Sequence, residues 1–150
     1  NRPGQSILAK VYGGIPIHRG QFDRRMLDIT LSVLRSGYPL LIAPEGGRSH
    51  TPGMQRAKPG VAYLMDKAAV PVVPVGVVGS TDDFLERALR GQRPDIEMHI
   101  GPVLRLSPVS GKGKERREMR QQNADRVMAS IAALIPPDYQ GVYANGENQL

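Results

Sequence analysis

Two hydrophobic rhythms run along this chain: stripes recurring every three or four residues, and short apolar runs bounded by Gly, Pro and polar clusters. Leu27, Leu31 and Leu34, with Met26 and Val33 beside them, share one face of a helix predicted over 23–35 and ended by Gly37. Val61, Leu64 and Met65 follow Pro59, whose fixed φ suits the first turn of a helix running to about residue 69. Ala124, Val127, Met128, Ile131 and Leu134 form a third stripe, closed by Pro136-Pro137. The stretch 111–120 before it is hydrophilic and mostly basic, and reads as a solvated helix start.

The runs predict strands at 15–17, 40–43, 70–78, 96–100 and 103–106. Pro71 and Pro74 lie inside the third of these, so it is an edge, a bulge or a shortened strand. A short helix over 5–12 precedes the first strand, and Ser80-Thr81-Asp82-Asp83 opens another helix that ends near Gly91. Residues 50–57 read as a loop and 138–150 as a loose polar tail. Strands alternating with helices predict an α/β fold, a mostly parallel sheet flanked by helices, in one domain over 1–137.

Composition narrows the chemistry. With no cysteine, disulfides, thiolate metal sites and a cysteine nucleophile are excluded, and nothing points to an oxidising compartment. No His/Asp/Glu cluster has ligand spacing, so neither a metal nor another cofactor is expected. No run approaches the roughly 20 apolar residues that span a bilayer. Twenty Lys and Arg against 14 Asp and Glu leave a net charge of +6, which fits nucleic acid, an anionic lipid surface or a phosphorylated small molecule. Aromatic residues are only 5% of the chain, few for the stacking platforms that single-stranded binders need, and no nucleic-acid partner is expected.

The most specific signal is Leu40-Leu41-Ile42-Ala43-Pro44-Glu45-Gly46-Gly47-Arg48-Ser49. Proline ends the apolar run, two glycines permit close approach of the backbone to a ligand, and a carboxylate and a guanidinium flank them. Ligands of open α/β sheets bind at the carboxyl ends of strands. A guanidinium beside free main-chain N–H groups suits a phosphate, which accepts two parallel charge-assisted hydrogen bonds.

Three segments in fixed order carry a resemblance to a family. Gly14-Ile15-Pro16-Ile17-His18-Arg19 resembles the second motif of the glycerolipid acyltransferases, the lysophosphatidic acid and glycerol-3-phosphate acyltransferase superfamily. Pro44-Glu45-Gly46-Gly47-Arg48-Ser49 is similar to the third motif, Pro-Glu-Gly-Thr-Arg-Ser, and Lys58-Pro59-Gly60 follows it as in the family. Val72-Val73-Pro74-Val75 resembles the fourth. The spacing of about 25 residues between Arg19 and the third motif also fits one helix between two parallel strands. The family's threonine is Gly47 here and its preceding aromatic is Ala43.

The family's first motif, His-x-x-x-x-Asp, supplies its catalytic base and the carboxylate that orients it. No histidine precedes His18, so that motif is expected in sequence ahead of this chain, with the membrane anchor, making the fold N-terminally incomplete and the chain inactive alone. His18 and Asp23 do spell His-x-x-x-x-Asp. His18, however, stands in the variable slot before the arginine of the second motif, and Asp23 reads as a first-turn acid of the next helix. The pair is an alternative catalytic dyad only.

The resemblance implies transfer of a fatty acyl group from an acyl-CoA or acyl-carrier-protein thioester to a lysophosphatidic acid or glycerol-3-phosphate acceptor. The setting would be phospholipid biosynthesis on the cytoplasmic face of a membrane with an anionic surface. Activity like that of a 1-acylglycerol-3-phosphate O-acyltransferase is thus expected of the family. This chain would carry the acceptor-binding part: Arg48 and Arg19 on the phosphate, Lys58 at the rim, Gly46 and Gly47 allowing close approach, and Glu45 orienting the loop or a glycerol hydroxyl. The other reading is a non-catalytic binder of phospholipid head groups or other phosphorylated ligands.

Overall fold

A computed structural model describes residues 24–47, 53–80 and 83–144. The chain divides into two compact units, Asn1–Leu41 and Ile42–Leu150. The predicted elements at 5–12 and 15–17 lie outside the described residues.

In the first unit, α1 (Arg24–Arg35) follows its apolar stripe, with Leu27, Thr30 and Leu31 buried. Burial of the Thr30 hydroxyl is tolerated because it donates to the Met26 carbonyl at 2.8 Å. Gly37 closes the helix at φ 81, its N–H on Leu34 O at 3.1 Å and that of Tyr38 on Val33 O at 3.3 Å. Only glycine adopts that left-handed turn without strain. Residues 40–43 form no strand, and Leu41 is 93% exposed. An apolar run becomes a strand only through a paired neighbour, and none is hydrogen-bonded to this one among the described residues.

The second unit begins its regular structure with α2 (Pro59–Ala68), which carries Pro59 in its first turn and buries Val61, Ala62 and Leu64. Next come β1 (Val75–Val78), α3 (Phe84–Leu89), β2 (Glu97–Ile100) and α4 (Gly113–Ala132). β1 and β2 pair antiparallel with Val75 opposite Ile100 and Val78 opposite Glu97. The described sheet is therefore small, two-stranded and antiparallel, and the expected mostly parallel sheet is not borne out by it. Prolines explain the shortening of 70–78. Pro71 and Pro74 cannot donate to a ladder, so pairing before β1 shrinks to a single bridge, Val72 with Leu104, whose two N–H···O bonds are 2.9 and 2.7 Å. The strand expected at 103–106 is reduced to the other half of that bridge.

The core of this unit lies along α4. Ala124, Met128 and Ala132 of α4 cluster with Ala62 of α2 and with Met54, Ala57 and Ile135, while Leu134, Tyr139 and Tyr143 close over them. Small residues on both helices allow close approach, and Met128 fills the remaining space at 1% exposure. Glycine at 76 lets the end of this helical segment cross β1, because a Cβ there would meet Ile135 and sit 3.3 Å from Leu134 Cβ.

Polar groups fasten the same surfaces. Asp66 of α2, only 7% exposed at its side chain, accepts from Arg116 Nη2 at 3.1 Å and Arg120 Nη2 at 2.6 Å. The Arg120 guanidinium also stacks 4.6 Å from the Tyr63 ring centroid. The basic stretch 111–120 is thus not wholly solvated, since two of its arginines are spent on α2. Residues 137–144, the described part of the segment after Pro136, also differ from a loose tail. Pro137–Tyr139 and Gly141–Tyr143 are 3-10 turns, and their tyrosines pack on the core. No described helix is long and apolar enough to cross a membrane.

Burial alone would raise the Asp66 and Asp125 carboxyls, but hydrogen bonds outweigh it, from Arg120 and Arg116 at the first and from Arg56, Gln121 and Tyr143 at the second, and hold both below the ordinary aspartate value. A depressed carboxyl stabilises the fold above its unfolded pKa, and the contribution is lost as pH falls through the folded one. The unfolding temperature is accordingly expected to fall as pH drops below about 4, and to fall less steeply in Asp66→Asn. Calorimetry across that range measures both.

Candidate functional site

The third motif forms a tight turn that folds against the start of α2. Pro44 and Glu45 occupy the turn and Gly46 follows at φ 68, its N–H returning to Ala43 O at 3.0 Å. A left-handed residue here needs glycine, and space requires it too. A Cβ on Gly46 would lie 2.9 Å from Lys58 Cγ and 3.7 Å from Lys58 Cβ. The turn therefore rests directly on the aliphatic stem of Lys58, whose N–H donates to Pro44 O at 2.9 Å.

Lys58 is the N-cap residue of α2, extended at φ −73 and ψ 144, exposed, and without a side-chain cap bond. Helix N-termini present partial positive charge and unpaired N–H groups. Acids usually stand there, but the first turn of α2 has none, and a lysine sits at the cap instead. This concentration of positive charge suits an anion.

Glu45 is half-buried against the turn and accepts the Gln55 main-chain N–H. Burial raises its pKa above the ordinary glutamate value, and the Gln55 bond partly opposes that rise. Gly47 is exposed, and a Cβ there would meet nothing within 4 Å, so a threonine in its place would find room.

Of the expected site residues, Glu45, Gly46 and Lys58 come together, with Gly47 beside them. Arg19, Arg48, His18 and Asp23 lie outside the described residues. His99 lies on β2 with Nε2 3.2 Å from Glu97 Oε2, as a strand-face residue would. Gln55 was not foreseen: its part is played by the main chain, which no side-chain motif announces. A groove of about 270 Å³ lined by Met65, Asp66, Val70, Arg105, Pro108 and Asn123 opens at the far end of α2. It is one helix length, about 15 Å, from Lys58, so it is separate from this site.

A family model described as Acyltransferase matches residues 1–78, a span that includes the turn, Lys58 and β1. No solved structure matches the chain.

Proposed function

Since the chain belongs to the acyltransferase family, we propose that the site formed by residues 44–47 and Lys58 holds the phosphate of a glycerol-phosphate acceptor during acyl transfer. The family implies an acyl donor and a lipid acceptor in general terms. The finer reading is that the acceptor is a lysophosphatidic acid or glycerol 3-phosphate and the donor an acyl thioester, in phospholipid synthesis at an anionic membrane surface. The observation that carries it is the seating of Gly46 on the stem of Lys58 at the N-terminus of α2. The stem of a lysine, a helix N-terminus and a glycine turn with exposed main chain thereby meet.

In acyl transfer the acceptor hydroxyl attacks the thioester carbonyl, a base takes the hydroxyl proton, and the thiolate leaves. A group that fixes the acceptor's phosphate converts a chance encounter into an oriented one, and orientation can supply much of the rate. In this reading Lys58 contributes charge, Gly46 and Gly47 contribute access to main-chain donors, and Glu45 braces the turn through Gln55. Arg19, the last residue of the second motif, and Arg48, within the third, would complete the cationic shell. His18 and Asp23 remain the alternative acid–base pair within the chain.

Lys58→Ala is expected to weaken glycerol 3-phosphate binding about fivefold, the loss of one partly solvated charge contact of about 1 kcal/mol. Isothermal titration calorimetry at low salt measures it. Unchanged affinity would remove Lys58 from the site.

A further inference from the structure

Residues 54–58 have their main-chain groups divided between two neighbours. On one side, the Gln55 N–H donates to the Glu45 carboxylate and the Lys58 N–H to Pro44 O at 2.9 Å. On the other, the Met54 N–H donates to Tyr139 O at 2.9 Å, the Val142 N–H donates to Met54 O at 3.2 Å, and the Ala57 N–H donates to the Tyr143 hydroxyl. That hydroxyl in turn donates to Asp125 Oδ1 at 2.9 Å, and Asp125 Oδ2 accepts from Arg56 Nη2 at 2.7 Å. Two glycines make the approach possible. A Cβ on Gly53 would lie 2.9 Å from Gly141 Cα, and one on Gly141, at φ 54, would strike the Met54 main chain.

From this we infer that residues 137–143 are a positioning strap for the acceptor site: they hold the bar 54–58, whose Gln55 and Lys58 amides in turn hold the glycine turn at Glu45 and Pro44. Tyr143, Gly141 and Asp125 are positioning residues that act through Met54, Ala57 and Arg56 without touching the acceptor. The inference rests on the proposed acceptor site for its functional meaning and on the hydrogen-bond pattern for its mechanics. A residue whose only task is to fill the core would not need both Met54 main-chain groups and the Ala57 amide.

Hydrogen exchange by NMR and glycerol 3-phosphate titration of the full chain test it together, with Gly141→Ala and Tyr143→Phe as variants. Tyr143→Phe keeps the ring and removes only the hydroxyl, so it retains a folded test case if Gly141→Ala fails to fold. The expected result is exchange at the Gln55 and Lys58 amides at least about tenfold faster, with the β1–β2 ladder amides unchanged. The dissociation constant for glycerol 3-phosphate should rise about fivefold in the same variants. Uniform acceleration at all amides, or none at Gln55 and Lys58, would overturn the strap, because either marks ordinary packing. Should the unaltered chain fail to bind glycerol 3-phosphate, the acceptor reading falls, and the exchange pattern still decides whether the strap holds the turn.

Discussion

Gly46→Ala is expected to weaken glycerol 3-phosphate binding about thirtyfold, close to 2 kcal/mol, by titration calorimetry. Two costs combine. At φ 68 an alanine is strained in the left-handed region, and its Cβ would press on Lys58 Cγ at 2.9 Å. Relief requires the turn to change its backbone or the Lys58 side chain to swing away, and either shifts the glycine main chain relative to the lysine. The neighbouring substitution is the control. Gly47→Thr restores the residue typical of the resembled motif, and its Cβ meets nothing within 4 Å, so near-normal binding is expected. Equal affinity in Gly46→Ala and the unaltered chain would show that the turn does not contact the anion.

Met128→Ala should lower stability by about 3 kcal/mol, and the unfolding temperature by about 10 °C. Met128 is 1% exposed and packed among Ala62, Ala124 and Ala132, residues too small to collapse into the space it would leave. Met128→Leu, which nearly conserves volume, should cost less than about 1.5 kcal/mol. Urea unfolding of the two variants separates cavity formation from loss of the thioether. A loss below about 1 kcal/mol in the alanine variant would mean that α4 is not the centre of this core.

Helices α1, α2 and α4 were readable because each carries its own apolar stripe: Leu27 and Leu31, Val61 and Leu64, Val127 and Met128 are buried as their spacing required. Strands depend on partners, and pairing is not written in a run's own residues. Residues 40–43 are as apolar as β1, yet Leu41 faces solvent. The prolines at 71 and 74 did announce the short pairing before β1. Long-range charge pairing was hidden as well: Arg116 and Arg120 look like a solvated basic face until Asp66 of α2 is brought beside them.

At the candidate site, the motif residues Glu45, Gly46 and Lys58 were legible as a group, since their types state their chemistry. The bracing around them was not. Gln55 and Met54 act through amide and carbonyl groups that every residue possesses, and Gly141 through the absence of a side chain. The polar stretch from 138 onward therefore reads as a tail from composition, while several of its main-chain groups up to residue 143 are hydrogen-bonded.

The Arg56–Asp125 pair joins positions 69 residues apart, and the Tyr143 hydroxyl closes on the same carboxylate. During synthesis the turn and α2 leave the ribosome well before the residues that lock them in place. The end of this unit that carries the glycine turn must accordingly mature late, and contacts of such long sequence separation make its closure slow relative to helix formation. A nascent chain paused before residue 143 would carry the motif without yet having the means to keep it in shape.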